Sequence, residues 1–196
     1  KDDLDRLKEE LDVFTLLLRN YLIHEENIFK DKTKNNQVKK ISDINKIASQ
    51  ITHLLSFNYT NIFRLLYYPL EKANVDFIHG SLPENNLVLG VNETLNNIDE
   101  NNNLLCIYFK KYFQRIFKKT GAKYTDWLDD KNGTNFDTVY IYGHSLDITD
   151  KEVLSRIIND VNHVKKIVIF YHNKEHYRQE ISNLVKILDK NTFLKY

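Results

Sequence analysis

The chain has 196 residues, enough for one domain with its own core, and its 28 basic and 27 acidic residues leave a net charge of +1. This balance argues against a protein whose main task is to grip phosphate backbones, and no apolar run reaches the roughly 18 residues that cross a bilayer. A single cysteine excludes a disulfide framework and a cysteine-rich zinc module, so a cytoplasmic location is the default expectation.

Residues 1–52 are predicted to form a helical segment that flanks the rest of the chain. Apolar residues recur with helical spacing from Leu4 to Leu18, which predicts a helix over residues 4–23. The polar residues 25–40 are typical of a loop or a weak helix, and residues 41–50 again favour a helix. An amphipathic helix here would serve as a packing or oligomerisation element, so a homo-oligomer is one expected form.

From residue 53 onward, predicted strands and helices alternate. Such alternation indicates β-α-β units, and the strand runs are nearly all apolar and do not alternate, as in parallel strands covered on both faces. We therefore predict an α/β fold for residues 53–196, with a three-layer, Rossmann-like, mostly parallel sheet. The predicted strands are 53–57, 75–80, 86–91, 137–143, 165–173 and a last one at 192–196, and the predicted helices are 60–70 (ended by Pro69), 104–122 (ended by Gly121), 149–161 and 174–189. Residues 95–103 and 123–135 are expected to be irregular.

Three predicted strands end in polar residues, and the carboxyl ends of parallel strands share one edge of a sheet, where ligands bind. The first strand runs into Asn58 and Thr60, the second into His79 and Gly80, and a third into Gly143, His144 and Ser145. A glycine at such an end lets a ligand approach the backbone, and a serine offers a hydroxyl to a phosphate or ribose. These groups predict a binding site, with His144 facing away from it if strand alternation persists.

Each group also has a purely structural interpretation. Asn58 or Thr60 could cap the helix at 61–68, and His79 could be a turn histidine bonded to backbone. Thr149 and Glu152 have the spacing of a capping box, while Asp147 and Asp150 could act only on the dipole at the helix start.

Other chemistries have weaker signals. Cys106 falls inside an apolar helix, where burial is more common than reactivity, and no phosphate-loop, dinucleotide-loop, serine-hydrolase or zinc-protease motif is present. His172 and His176 lie one helical turn apart without a carboxylate pattern beside them, so no metal site is predicted. A basic cluster in the predicted helix favours a solvated face over a nucleic-acid surface; it comprises Lys110, Lys111, Arg115, Lys118, Lys119 and Lys123.

The ordered segments LSFNYTN, DFIHGSL, LVLGV, FKKYFQRIFKKTG and YIYGHSLDITD resemble the AbiH family of phage abortive-infection proteins, from about Leu55 onward. That family is distantly similar to sirtuin-type NAD-binding domains. The resemblance implies that Asn58 and His79 match the sirtuin Asn and catalytic His, and that Gly143 and Ser145 match a G-T-S-L segment. Thr60 stands where sirtuins have Asp, and one cysteine cannot build the sirtuin four-cysteine module, so protein deacetylation is not expected.

AbiH-like proteins usually begin with a strand and a G-N-G-F-D segment, which would bind pyrophosphate at a helix start. That segment does not occur in this sequence. It is expected to precede Lys1, or nucleotide binding would be lost.

The resemblance implies a phage-defence protein that binds or hydrolyses NAD or a related nucleotide. His79 would be the general base, because histidine titrates near neutral pH, and Asn58 would orient ribose and water. Ligand contacts are expected from Gly80, Thr60, Gly143, Ser145 and Asp150. The alternatives are a non-enzymatic module that senses a nucleotide or binds a protein, such as a phage-derived trigger, and a toxin that targets nucleic acid.

Overall fold

The chain folds into helices and short parallel strands, as seen in a computed structural model that describes residues 2–67, 73–91, 106–129, 136–159 and 164–188. It divides into two compact units, Lys1–Tyr124 and Thr125–Tyr196. The division predicted between residues 52 and 53 concerns a different boundary and stays a prediction.

The first unit begins with a long helix, α1 (Asp2–Lys34), followed by the short helix α2 (Ser42–Ile47) and a 3-10 turn at Ala48–Gln50. Helix α1 therefore continues through the polar residues for which a loop or weak helix was predicted. Lys30 and Glu26, four residues apart, form an ion pair of 2.7 Å, and Glu26 is buried. Contacts of this spacing stabilise a helix whose residues have little apolar pattern.

Two parallel strands form the sheet of the first unit. Strand β1 (His53–Ser56) leads into helix α3 (Ile62–Leu66), and strand β2 (Asn74–Phe77) pairs with β1 so that Ser56 lies opposite Phe77. The sheet packs on a core whose most buried residues include Ile44, Ala48, Tyr67, Ile78, Leu87 and Val88. Both strands were predicted from sequence, and their parallel pairing is confirmed.

The strand predicted at 86–91 is wrong: residues 86–90 have no regular structure, and Val91 makes a single bridge to Lys110. The reason is the side chain of Gln114, which accepts a hydrogen bond from Leu89 N (3.0 Å) and donates one to Leu89 O (2.6 Å). This amide takes both backbone groups that a neighbouring strand would use. Leu87 and Val88 are apolar because they are buried, not because they belong to a sheet.

The helix predicted at 104–122 is interrupted in the same region. A 3-10 turn at Ile107–Phe109 precedes helix α4 (Lys111–Phe117), which ends before Gly121. Helix α5 (Lys123–Leu128) then forms where irregular chain was predicted. Asp76, a buried carboxylate on β2, accepts a hydrogen bond from Tyr124 N at 3.0 Å. It thereby satisfies a backbone donor in the first turn of α5.

The second unit repeats the strand-helix-strand order. It contains strand β3 (Thr138–Tyr142), a 3-10 turn (Ile148–Asp150), helix α6 (Lys151–Asn159), strand β4 (Lys166–Phe170) and helix α7 (Lys174–Ile187). Strands β3 and β4 are parallel, with Tyr142 opposite Phe170. Asn173 caps α7 by accepting a hydrogen bond from His176 N at 2.9 Å. The core includes Leu146, Val153, Ile158, Leu184 and Ile187.

Within the described residues the strands form these two parallel pairs, so the chain is an α/β protein with short parallel sheets. The three-layer, Rossmann-like arrangement stays a prediction. The end of the third helix at Pro69, the loop at 95–103 and the strand at 192–196 lie outside the described residues.

Candidate functional site

The carboxyl ends of β1 and β2 lie side by side. The strands are in register up to Ser56 and Phe77, and Ile78 N donates a hydrogen bond to Ser56 O at 2.8 Å. His79 is 8% exposed, and its ring meets Phe57 edge-on with 5.9 Å between centroids. Asn58, two residues beyond the end of β1, is exposed. The structure therefore brings the strand end that bears Asn58 next to the one that bears His79, while their roles stay predictions.

A loop folds back over this edge and closes one side of it. Val88 N donates to His79 O (2.8 Å), and the Tyr59 hydroxyl donates to Val88 O (2.9 Å). Leu82 N completes the connection by donating to Tyr59 O at 3.0 Å. Burial raises the pKa of the Tyr59 phenol, which keeps the hydroxyl protonated and able to donate.

Gly80 has a structural requirement of its own in this loop. Its φ is +82°, and a Cβ atom placed there would lie 2.2 Å from Asn86 O. The Asn86 side chain also accepts a hydrogen bond from Ser81 N at 2.9 Å. Close backbone packing therefore accounts for the glycine without a ligand. The ligand contact predicted for Gly80 stays a prediction.

The carboxylate of Glu26 binds the start of α3, in place of the caps considered for Asn58 and Thr60. Asn61 is the N-cap residue, but its own side chain makes no capping hydrogen bond. Its backbone N–H donates a hydrogen bond to Glu26 Oε2 at 3.0 Å. Asn58 instead has its backbone N and O bonded to the Ser56 hydroxyl (3.2 and 3.1 Å), and Thr60 is half-buried. The capping interpretation of these two residues is therefore wrong.

Sequence reasoning missed two α1 residues that reach the edge of the sheet. Glu26 is 7% exposed, and Arg19 donates from Nη2 to Leu82 O at 3.4 Å. Glu26 and Arg19 are seven residues apart and thus lie on one face of the helix. Glu26 contacts the loop after β1, and Arg19 contacts the loop after β2. The available signal was a helical face that carries both charges within a mostly apolar pattern.

In the second unit, the loop after β3 is exposed and has an unusual backbone. Gly143 has φ +63°, and a Cβ atom there would meet nothing within 4 Å. Leu146 is fully buried although its φ is +53°, a region that side-chain-bearing residues rarely adopt. Ser145 is exposed, and its carbonyl accepts a hydrogen bond from the Asn183 side chain at 2.9 Å. The roles predicted for Gly143 and Ser145 stay predictions.

His144 turns its ring back onto its own loop. Its Nδ1 accepts a hydrogen bond from Leu146 N (2.9 Å), and its Nε2 lies 3.5 Å from Asp150 Oδ2. The acceptor role of Nδ1 places the ring proton on Nε2, facing the Asp150 carboxylate. Asp147 caps the turn by accepting from Thr149 N at 2.9 Å. Asp150, predicted to bind ribose, is thus already beside an imidazole, and its ligand contact stays a prediction.

Three of the six residues of the basic cluster predicted for residues 110–123 are engaged within the first unit. Lys110 is buried, and Arg115 donates to Gly121 O at 2.6 Å. Lys118 donates to Leu87 O, and burial lowers the pKa of its ammonium, an effect that the charge of Asp12 opposes. Because internal contacts hold these three cations, the cluster does not form one solvated basic face.

One cavity of about 200 Å³ lies beside β2 in the first unit. It is smaller than the 300–1,000 Å³ typical of ligand sites. Neither Asn58 nor His79 lines it. Its polar lining residues are Arg64, Asp76, Ser81, Glu84, Lys119, Thr120 and Lys123.

The histidine pair and the cysteine lie in the second and the first unit, respectively. His172 and His176 have ring centroids 5.7 Å apart, and among the described residues no group of three His, Cys, Asp or Glu side chains could hold a metal ion. Cys106 is half-buried in the turn before Ile107, outside the helix in which it was predicted. None of the helices in the described part of the chain has the length and apolar character that a membrane-spanning helix needs.

The fold and the strand ends define an α/β protein with a polar edge at the carboxyl end of a parallel strand pair. Residues 3–172 match the family described as "Bacteriophage abortive infection AbiH", and the chain belongs to that family. The AbiH resemblance drawn from the sequence is thereby confirmed, and with it a role in abortive infection, a defence against bacteriophage. No curated protein and no solved structure matches the chain.

Proposed function

We propose that this phage-defence protein binds NAD or a related nucleotide at the carboxyl edge of β1 and β2 and hydrolyses it, on a sirtuin-like Rossmann fold. The observation that carries the proposal is the position of His79, buried at the end of β2 beside the end of β1 that bears the exposed Asn58. A histidine can act as a general base, and the exposed amide beside it can contact a ligand.

In the proposed reaction, a water oxygen attacks C1′ of the nicotinamide ribose as the C1′–N bond breaks, through an oxocarbenium-like transition state. His79 accepts the proton that the water loses. Nicotinamide leaves with the bonding electron pair, and the other product is ADP-ribose. The Asn58 amide donates and accepts at once, so it can orient both the water and a ribose hydroxyl.

Glu26, on helix α1, supports this arrangement. By accepting from Asn61 N it fixes the end of the loop that carries Asn58, and its ion pair with Lys30 fixes the carboxylate itself. A loop held at both ends presents its amide in one position, which lowers the cost of ordering it when a ligand binds. Glu26 thus acts as a positioning residue in the proposed site.

The test is incubation of the full-length protein with NAD, followed by chromatography of nicotinamide and ADP-ribose. We expect His79→Ala to lower turnover by about 100-fold or more, the usual contribution of a general base. Asn58→Ala should also lower turnover while the fold is retained, because the side chain is exposed. Asn45→Ala, an exposed asparagine on α2, serves as the matched control. Unchanged turnover in the His79 variant would eliminate the mechanism.

A second candidate is a module that senses a nucleotide without cleaving it. The burial of His79 favours it, because a base with 8% exposure gives water and substrate little access. If the protein is such a sensor, calorimetry detects binding of NAD to the wild-type protein, and chromatography detects no release of nicotinamide. Loss of binding in Asn58→Ala would locate the nucleotide at the same edge.

A further inference from the structure

Helix α1 has two apolar faces, of which the first unit covers one. Leu11, Leu18 and Leu22 lie on the half-buried face. On another face, Leu7, Phe14, Leu17 and Tyr21 are 45%, 58%, 61% and 58% exposed. A helix with a single apolar face needs only its own core, whereas a helix with two such faces has a second surface to bury.

The exposed face has the spacing of a coiled-coil seam. We use the name outer seam for the residues that follow one another at alternating steps of three and four along α1: Leu7, Glu10, Phe14, Leu17, Tyr21 and His24. Such steps bring side chains onto one line facing a partner helix. All six are exposed, and Val13, 58% exposed, adjoins them.

The exposed area is sufficient for a weak dimer. Half-exposed leucine, phenylalanine and tyrosine side chains present roughly 100 Å² each, so the seam and Val13 offer roughly 500 Å² per copy. Two copies would bury about 1,000 Å², the lower limit for a specific interface.

The charges on the seam select the orientation of a second copy. A parallel, in-register pair would place Glu10 against Glu10 and His24 against His24. An antiparallel pair with Phe14 opposite Leu17 of the second copy places Glu10 opposite Tyr21, whose phenol can donate to the carboxylate. Like carboxylates face each other in the first arrangement and a donor faces an acceptor in the second.

We propose that the outer seam binds the outer seam of a second copy of this chain in antiparallel orientation, which gives the expected homo-oligomer a defined interface. The apolar centre is formed by Phe14 and Leu17 from both copies, with a Glu10–Tyr21 contact on each side. The interface does not depend on the nucleotide reaction.

The first experiment is sedimentation equilibrium of the full-length protein over a concentration series, compared with Leu17→Glu. We expect a reversible dimer that this substitution weakens at least tenfold, because two carboxylates would enter the apolar centre. Val185→Glu, a change at a similarly exposed apolar residue of α7, should leave the dimer intact. A monomer at all concentrations, or a dimer insensitive to Leu17→Glu, would overturn the proposal.

The second experiment fixes the orientation. Two variants, Glu10→Cys and Tyr21→Cys, are made in a Cys106→Ser background with tags of different size. Each variant is oxidised alone, and the two are also oxidised together as a mixture. The antiparallel pair forms disulfides chiefly between the two different chains in the mixture. Efficient crosslinking of Glu10→Cys to itself would indicate a parallel pair, and crosslinking in neither case would show that another surface, or another part of the chain, occupies the seam; both results contradict the proposal.

Discussion

A histidine and a glycine are adjacent just beyond two of the described strands, in opposite order, and the two ends are built differently. At the end of β2, Gly80 lies so close to Asn86 that no side chain fits, and His79 is buried. At the end of β3, Gly143 is surrounded by open space, and His144 contacts its own loop and Asp150. The same pair of residues thus serves close packing in one unit and a turn with open space in the other. A dipeptide at a strand end therefore predicts a sharp turn, not by itself a ligand.

The largest expected effect is a difference in stability between the alanine variants of Gly80 and Gly143. Gly80→Ala should destabilise the first unit by on the order of 3 kcal/mol, because a positive φ and a backbone clash add. Gly143→Ala should cost the second unit only about 1 kcal/mol, since only the φ is unfavourable. Hydrogen exchange read by mass spectrometry on peptides from each unit measures both. Equal costs would remove the distinction drawn between the two strand ends.

The second comparison concerns Glu26 and Asp147, whose carboxylates accept hydrogen bonds from backbone N–H groups of the loops after β1 and β3. Glu26→Ala should destabilise the first unit by about 2 kcal/mol, because it leaves Asn61 N–H and Lys30 without their acceptor. Glu26→Gln retains an acceptor and should cost roughly half of that. Asp147→Ala removes an exposed cap and should cost about 1 kcal/mol. Urea titration with unit-specific exchange ranks the three variants, and a Glu26→Ala cost below that of Asp147→Ala would contradict the buried role of Glu26.

The smallest effect concerns pH and occurs in the second unit. Burial raises the pKa of Glu180 above its ordinary value of 4.5, while His176 and His172 oppose the rise. The folded state therefore holds this proton more tightly than the unfolded state. Its stabilising effect is complete below pH 4.5 and is lost as the pH rises through the raised value.

Glu180→Gln should accordingly be the more stable protein at neutral pH, by about 1 kcal/mol, because it removes a buried charge. The difference should vanish near pH 4, and the exchange of first-unit peptides should be unaffected. Denaturation at a series of pH values between 4 and 8 measures it. A glutamine variant that is less stable at neutral pH would show that the carboxylate is satisfied in its buried position.

The strands were predictable from sequence because their signals are local. Apolar runs with abrupt polar ends located β1 to β4, and the alternation with helices predicted parallel strands whose polar ends share one edge, whereas the pairing of β1 with β2 comes from the structure. The segment at 86–91 has the same apolar composition, yet Gln114, 25 residues away, occupies its backbone groups. No pattern within the segment contains that information.

The candidate site was predictable only in part for the same reason. Asn58 and His79 follow from their strands, whereas Glu26 reaches Asn61 across 35 residues and lies in a stretch predicted as loop or weak helix. The pairing of His144 with Asp150 spans a loop in which Leu146 has a positive φ. Such contacts follow from the packing of distant segments and not from the composition of either one.

The pairing of strands within each unit has a consequence for synthesis on the ribosome. Among the described residues, β1 and β2 form the sheet of the first unit, and β3 and β4 form that of the second. The first unit ends at Tyr124, and translation of Thr125–Tyr196 then takes roughly 4 to 14 s at about 5–20 residues per second. The edge that carries Asn58 and His79 can therefore assemble while the remainder of the protein is still being made.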